Sequence, residues 1–191
     1  MKILNILFLT LILSSCGMRS IPTALNEVDA TWAEVQNQYK RRADLIPNLV
    51  NVVKGYATHE KETLTQVTEA RANATKVNLT VDQLTEENMA KFQKAQAGLS
   101  GALSKLLAIA ENYPQLKANE NFRDLQVQLE GTENRITVAR NRYIEAVKAF
   151  NNQVTVPPES WYNAIFLKHA PKAQFQVENL EKVQEAPEVK F

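Results

Sequence analysis

The stretch KRRADLIPNLVNVVKGYATHE, Lys40 to Glu60, decides how the chain is read. It packs a basic triplet, an acid, a proline and a run of aliphatics into a few helical turns. Upstream of it, Leu25, Val28, Trp32, Val35 and Tyr39 recur at spacings of three and four, which lays one apolar stripe along a helix. The stripe continues in phase through Arg42, Ile46, Leu49, Val53 and Tyr56, so two readings are open at Pro47. In one, Lys40, Arg41 and Arg42 close a first helix, where cations suit the negative end of the dipole. Asp44 then caps a second helix with Pro47 in its first turn, and this helix runs through Leu49, Val53, Tyr56, Leu64, Val67 and Ala74. In the other, a single long helix is kinked at Pro47. The expectation is two helices, because the break divides the body into four segments of similar length.

Working outward, Pro22 suits the start of the first helix. Lys76 to Asp82 reads as a connection, with Thr80 and Asp82 as candidate caps. A third helix carries Met89, Phe92, Leu99, Leu103, Leu106 and Ile109. Gly98 and Gly101 lie inside it, where each costs about 1 kcal/mol relative to alanine. That cost predicts close approach of a neighbouring helix. Pro114 ends or kinks the segment. The fourth helix holds its three-four alternation without a miss through Phe122, Leu125, Leu129, Thr132, Ile136, Ala139, Tyr143, Ala146 and Phe150, the pattern of a bundle or coiled-coil seam. Val156-Pro157-Pro158 stops it. Trp161, Tyr162, Ile165 and Phe166 then form an apolar patch on a short helix lying across one end of the bundle. From Ala173 the chain is polar and charged, and its end is expected to be disordered.

At the amino terminus, Met1 and Lys2 precede an apolar run from Ile3 to Leu13. Eleven helical residues span roughly 16 Å against a hydrocarbon core of about 30 Å, too short to cross comfortably. The run fits a secretory signal peptide. It ends in Leu13-Ser14-Ser15-Cys16-Gly17, which resembles a bacterial lipobox, with Cys16 as the residue lipidated and made the new first residue. An ordinary signal peptide with an incidental Cys, or a short membrane anchor, is the other reading. Multiple acyl chains on Cys16 would give stable membrane attachment. The expected organisation is a signal peptide over 1–15, a lipidated tether over 16–21, a helical bundle over 22–153, and a C-terminal extension over 154–191 with a short helix and a partly disordered tail.

The central stretch resembles the signature of the LemA family, "(K/R)RR-x-DLIPNLV-x-x-VKGYA-x-HE". Further segments are similar to that family in the same order: Glu69-Ala70-Arg71; Ala110-Glu111-Asn112-Tyr113-Pro114-Gln115-Leu116-Lys117-Ala118; Phe122-Arg123-Asp124-Leu125-Gln126; Leu129 to Ile136, LEGTENRI; and Ala139-Arg140-Asn141-Arg142-Tyr143. The match spans roughly Val28 to Phe175. Two departures stand out. Ile144 follows Tyr143 where the family usually has Asn, and a lipobox-like end replaces the longer spanning anchor of many members. The resemblance implies an all-α fold, an antiparallel up-and-down four-helix bundle with long helices. It implies no known catalytic activity.

The residues themselves point the same way. Hydrophobic residues make up 45% of the 191, with five Gly, one Cys and a net charge of +1. The lone Cys excludes an intramolecular disulfide, and the near-neutral charge gives no argument for a nucleic-acid partner. His59-Glu60 lacks the second His of H-E-x-x-H, since position 63 is Thr63. Tyr56 and Phe166 stand where the di-iron Glu-x-x-His pattern needs carboxylates. No catalytic, cofactor or metal residues are therefore assigned. Arg41, Arg42, Asp44, Glu69, Arg71, Glu130, Glu133, Arg135, Arg140 and Arg142 are read as a charge network between helices, or alternatively as a polar groove that receives a partner. The functional expectation is a non-enzymatic scaffold or adaptor, anchored in the cell-envelope membrane through Cys16 on the periplasmic side and acting on a protein partner. The competing expectation is an envelope sensor or ligand-binding module that uses the Trp161–Phe166 patch or a groove beside Tyr56 and His59.

Overall fold

The structure, a computed structural model, describes residues 15–176, with side chains from residue 19 onward. Residues 1–14 of the expected signal peptide, the side chain of Cys16 and the tail 177–191 lie outside the described residues. Four long helices pack antiparallel, and among the described residues there is no strand. Helix α1 covers Ser15–Tyr56, α2 Lys61–Lys76, α3 Glu86–Ala110 and α5 Glu120–Thr155. Short helices α4 (Pro114–Lys117) and α6 (Glu159–Tyr162) join them, and α6 runs into a π-helical turn at Asn163–Leu167. Helix α1 pairs along its length with α5, while α2 and α3 pair with each other beside the second half of α1. None of the described helices is long and apolar enough to cross a membrane.

The expected break at Pro47 is not there. Helix α1 runs 42 residues with both Pro22 and Pro47 inside it, about 63 Å at 1.5 Å per residue. Its stripe of Val28, Trp32, Val35, Tyr39, Ile46, Leu49 and Val53 is buried throughout, so burial outweighs the local cost of proline. Asp44 is an exposed mid-helix residue, not a cap. Pro47 is also exposed, which keeps its ring out of the core. Proline still removes the N–H that would bond the carbonyl of Ala43. Arg71 of α2 supplies the missing donor, with its Nε 2.7 Å from the Ala43 oxygen. A helix interruption that is costly in isolation thus becomes an attachment point for the next helix.

The first chain reversal comes instead at Ala57–Glu60, where Glu60 N–H donates to the Ala57 carbonyl at 3.1 Å and Ala57 is fully buried. The return at the other side of the connection is held by Trp32, whose indole N–H donates to the Leu79 carbonyl at 2.6 Å. Thr85 caps α3 by accepting from the Asn88 amide, and Asn119 caps α5 by accepting from the Phe122 amide. Both caps satisfy donors that a helix start leaves open. Gly98 and Gly101 do not admit a neighbouring helix. Both are exposed and a Cβ at either would meet open space, because Leu99, Leu103 and Leu106 turn the opposite face of α3 inward.

Two apolar clusters fill the bundle. The one nearer the start of α1 joins Ile21, Trp32 and Tyr39 to Phe92, Tyr143, Phe150 and Phe175. The one nearer its end joins Ile46, Leu49 and Val53 to Val67, Leu99, Leu106, Leu116 and Leu129. Only the second is enclosed by all four long helices. The first is closed by the 77–85 connection and by the chain after α5, which turns back and lays Ala173 and Phe175 into it.

The Pro47–Arg71 pairing makes a coupled prediction. Arg71→Ala should destabilise the chain by about 1–3 kcal/mol, the penalty of a buried acceptor left unpaired. The cost should shrink by about 1 kcal/mol or more in a Pro47→Ala background, where a backbone N–H again reaches the Ala43 carbonyl. Urea unfolding of both single variants and the double variant measures the difference, and equal costs in both backgrounds would refute the pairing.

Candidate functional site

Between the two apolar clusters each long helix places a polar residue at a position its stripe would otherwise give to an aliphatic. These are Arg42 on α1, Arg71 on α2, Gln96 on α3 and Thr132 on α5. Arg42, Gln96 and Thr132 are buried, Arg42 to 3% exposure. A buried guanidinium is costly unless charge-paired and hydrogen-bonded. Here Nη1 donates to Ser100 Oγ at 2.9 Å and to Glu133 Oε2 at 3.1 Å, and Nη2 donates to Gln96 Oε1 at 2.8 Å. Gln96 in turn donates through Nε2 to the Ala74 carbonyl of α2 at 3.3 Å. One arginine thereby joins α1, α3 and α5 directly and α2 through Gln96. Its Nε is buried with no hydrogen-bond partner, and its guanidinium lies 5.1 Å from the Tyr39 ring centre, in cation–π range.

The layer opens to one side in a cleft of about 400 Å³ lined by Tyr39, Arg42, Ser100, Glu133, Arg140 and Gln176. Burial raises the Tyr39 phenol above its ordinary value, and Arg140 and Arg42 pull it partly back. The cleft is roofed by the returning C-terminal segment. Arg140 stacks over the Phe175 ring at 4.5 Å, and Phe175 packs edge-on to Tyr143 at 5.5 Å. Two amide side chains hold this segment as a strand partner would. Asn151 accepts from Lys172 N–H and donates to the Lys172 carbonyl, at 2.8 and 2.9 Å. Gln93 accepts from Gln176 N–H and donates to the Gln176 carbonyl, at 3.2 and 2.8 Å. Between them the Tyr143 hydroxyl donates to the Ala173 carbonyl at 2.7 Å, and burial pushes that phenol well up.

The ten charged residues singled out from the sequence fall into distinct places. Arg42 and Glu133 meet directly, and Arg140 lines the same cleft. Arg71 serves the Ala43 carbonyl and not an acid. Arg142 pairs with Glu34 on the other flank at 2.8 Å, a partner the sequence reading did not name. Arg135 reaches back to Thr132 on its own helix at 3.5 Å. Arg41, Asp44, Glu69 and Glu130 are exposed, and none forms an ion pair within the described residues. His59 sits exposed in the α1–α2 turn, and the Tyr56 hydroxyl accepts from Asn119 at 2.9 Å. Among the described residues no three His, Cys, Asp or Glu side chains come together as a metal site would require. Gln96, Ser100, Gln93 and Asn151 were missed. For Gln96 the signal was present, as a polar residue between Phe92 and Leu99 in an otherwise apolar stripe.

Comparison with known proteins gives one family and several distant relatives. The profile of the LemA family matches residues 31–191. The chain is similar to magnetosome proteins MamQ 2 and MamQ 1 of Paramagnetospirillum magneticum, each at 20% identity over 92% of this chain and 71% of the relative. It is similar to protein LemA of Metamycoplasma hominis at 26% identity over 83% of this chain and 68% of that protein.

Removing the two halves of the central ion pair should have unequal effects. Arg42→Ala leaves a void and unpaired Gln96 and Ser100 groups, and should cost about 2–3 kcal/mol. Glu133 is 56% exposed and Gln keeps an acceptor for Arg42, so Glu133→Gln should cost less, about 1–2 kcal/mol, for the charge lost beside a buried guanidinium. Urea denaturation of both variants decides the order, and a larger loss for Glu133→Gln would show that the layer is held by charge and not by its buried hydrogen bonds.

Proposed function

The chain belongs to the LemA family, and from that premise we propose that it is a non-enzymatic scaffold or adaptor anchored in the bacterial cell-envelope membrane through a lipidated Cys16. The observation that carries this reading is the layer around Arg42. Its polar groups are spent on one another and on the backbone of neighbouring helices, which is what holding a bundle in register asks of them. A catalytic arrangement asks for something different, a base poised against a nucleophile or beside a site for a reacting atom. The anchor is supported by Leu13-Ser14-Ser15-Cys16 and the short apolar run before it. Its partner in this reading is another envelope protein.

A second reading has its own observation. The cleft at the polar layer carries two guanidinium groups, Arg42 and Arg140, beside a single carboxylate, Glu133. That balance suits a small anionic ligand, which would make the chain a ligand-binding module of the envelope.

Metabolic labelling with a fatty-acid analogue, applied to the natural chain and to Cys16→Ala, tests the anchor. The variant should lose lipid label and membrane association together, and crosslinking of the labelled protein in cells should capture a protein neighbour. Absence of label on the natural chain would contradict lipidation at Cys16. A hydrolase or transferase turnover by the purified chain, abolished by one point substitution, would contradict the non-enzymatic assignment.

A further inference from the structure

The apolar tip formed after α5 is exposed but not loose. Trp161, Ile165 and Phe166 are 66%, 67% and 66% exposed. Tyr162 and Phe166 stack with ring centres 4.9 Å apart. From Ser160 to Leu167 no residue carries a charge. A single buried amide staples the turn. Asn163 donates to the His169 carbonyl and accepts from His169 N–H, both at 2.9 Å, and it also reaches the Val154 carbonyl at the end of α5 at 3.5 Å. Lys168 closes the turn in a left-handed conformation, with φ of 56°. On the inner side, Tyr162 and Leu167 pack into the apolar cluster that contains Ile21 and Val154. A rigid frame thus holds one aromatic face in the core and pushes three large apolar side chains outward.

The position of this tip matters as much as its composition. It packs on α1 and α5, at the end of the bundle where α1 begins. Helix α1 begins at that end with Ser15 and Cys16, the residue that carries the lipid in the anchored reading. Whatever surface holds the amino terminus therefore lies on the same side as the tip. Exposed cations Arg19 and Lys168 share that side. Aromatic residues flanked by a basic residue are the side chains that settle at the boundary between headgroups and acyl chains.

We infer that Trp161, Ile165 and Phe166 form a second membrane contact, inserted into the interfacial layer of a phospholipid bilayer beside the amino-terminal anchor. This rests on the membrane-anchored reading above and adds to it. An anchor alone would leave the bundle free to swing on its tether. A second contact stands the long axis of α1 and α5 away from the membrane and holds the α1–α2 turn, with His59 and Tyr56, at the far end. Because the contact is apolar, neutral lipid suffices.

The test uses the full chain reconstituted into phosphatidylcholine vesicles containing lipid brominated at shallow or deep acyl positions, with Trp161→Phe as the background to subtract. Trp32 is buried in the core and hydrogen-bonded, so the difference signal reports position 161. The expected result is at least twofold quenching of that signal by shallow bromines, weaker quenching by deep ones, and loss of acrylamide access on vesicle addition. The double variant Ile165→Asp, Phe166→Asp should lose the bromine quenching while still floating with vesicles. If the natural chain floats with vesicles but its Trp161 stays open to acrylamide and is not quenched by bromine, the tip contact is overturned and the anchor stands. Shielding from acrylamide without bromine quenching would mean that protein, such as a second copy, covers the tip, and also overturns it. A chain that fails to float overturns the anchor and the tip contact together.

Discussion

Arg42 is the constraint on which the rest of the bundle depends. Heptad-like stripes specify that helices pack, but not how far each slides along its neighbour, since an aliphatic seam tolerates a shift of one repeat. A guanidinium that must find Ser100, Gln96 and Glu133 tolerates none. A slip of α3 or α5 would leave a buried cation among aliphatics, at a cost of several kcal/mol. The polar layer therefore supplies specificity more than stability. Its position between two apolar clusters makes it a single registration point for α1, α2, α3 and α5, with the second cluster packed from it toward the α1–α2 turn.

The other end of the molecule solves a different problem. Below Tyr39 α1 and α5 continue, α2 is absent and α3 contributes only its first turns with Met89 and Phe92, so helices alone do not cover the inward faces of Trp32, Tyr143 and Phe150. The chain covers them with two irregular segments, one holding a single 3-10 turn at Val81–Gln83, and the two meet where Ala173 N–H donates to the Leu84 carbonyl at 3.0 Å. Leu79 and Leu84 come from the 77–85 connection, and Ala173 and Phe175 from the return after α6. Their backbone groups must still be satisfied, and Trp32, Asn151, Gln93 and Tyr143 do this from the helices. The result is a lower half built of helix, loop and extended chain around one aromatic cluster. The same turn that begins the return leaves Trp161, Ile165 and Phe166 facing outward.

Much of this was legible in residue spacing. The stripes of α1, α3 and α5 give helix, inward face and antiparallel bundle, and the buried residues follow them closely. Pro47 was misread because its effect is settled by Arg71, 28 positions from the Ala43 carbonyl it serves, and no local rule sees that far. The glycines of α3 were misread because a glycine marks either close approach or mere tolerance, and only packing separates the two. Arg42 was visible as an in-phase member of the stripe, but its partners Gln96 and Ser100 looked like ordinary polar residues. Ala173 and Phe175 alternate with exposed neighbours, a strand-like pattern too short to stand out beside the charged sequence around it.

The measurement that bears most directly on the central claim is residue-resolved hydrogen exchange along α1, from Ile21 to Ala57, in increasing denaturant. If the Arg42 layer joins the two clusters through one continuous helix, amides on either side of it, such as those of Tyr39 and Ile46, should open with the same free energy and the same denaturant dependence. Slow exchange should run through the segment around Pro47 and end only at Ala57–Glu60. Rapid exchange between Ala43 and Val50, with the two halves of α1 opening independently, would contradict the account.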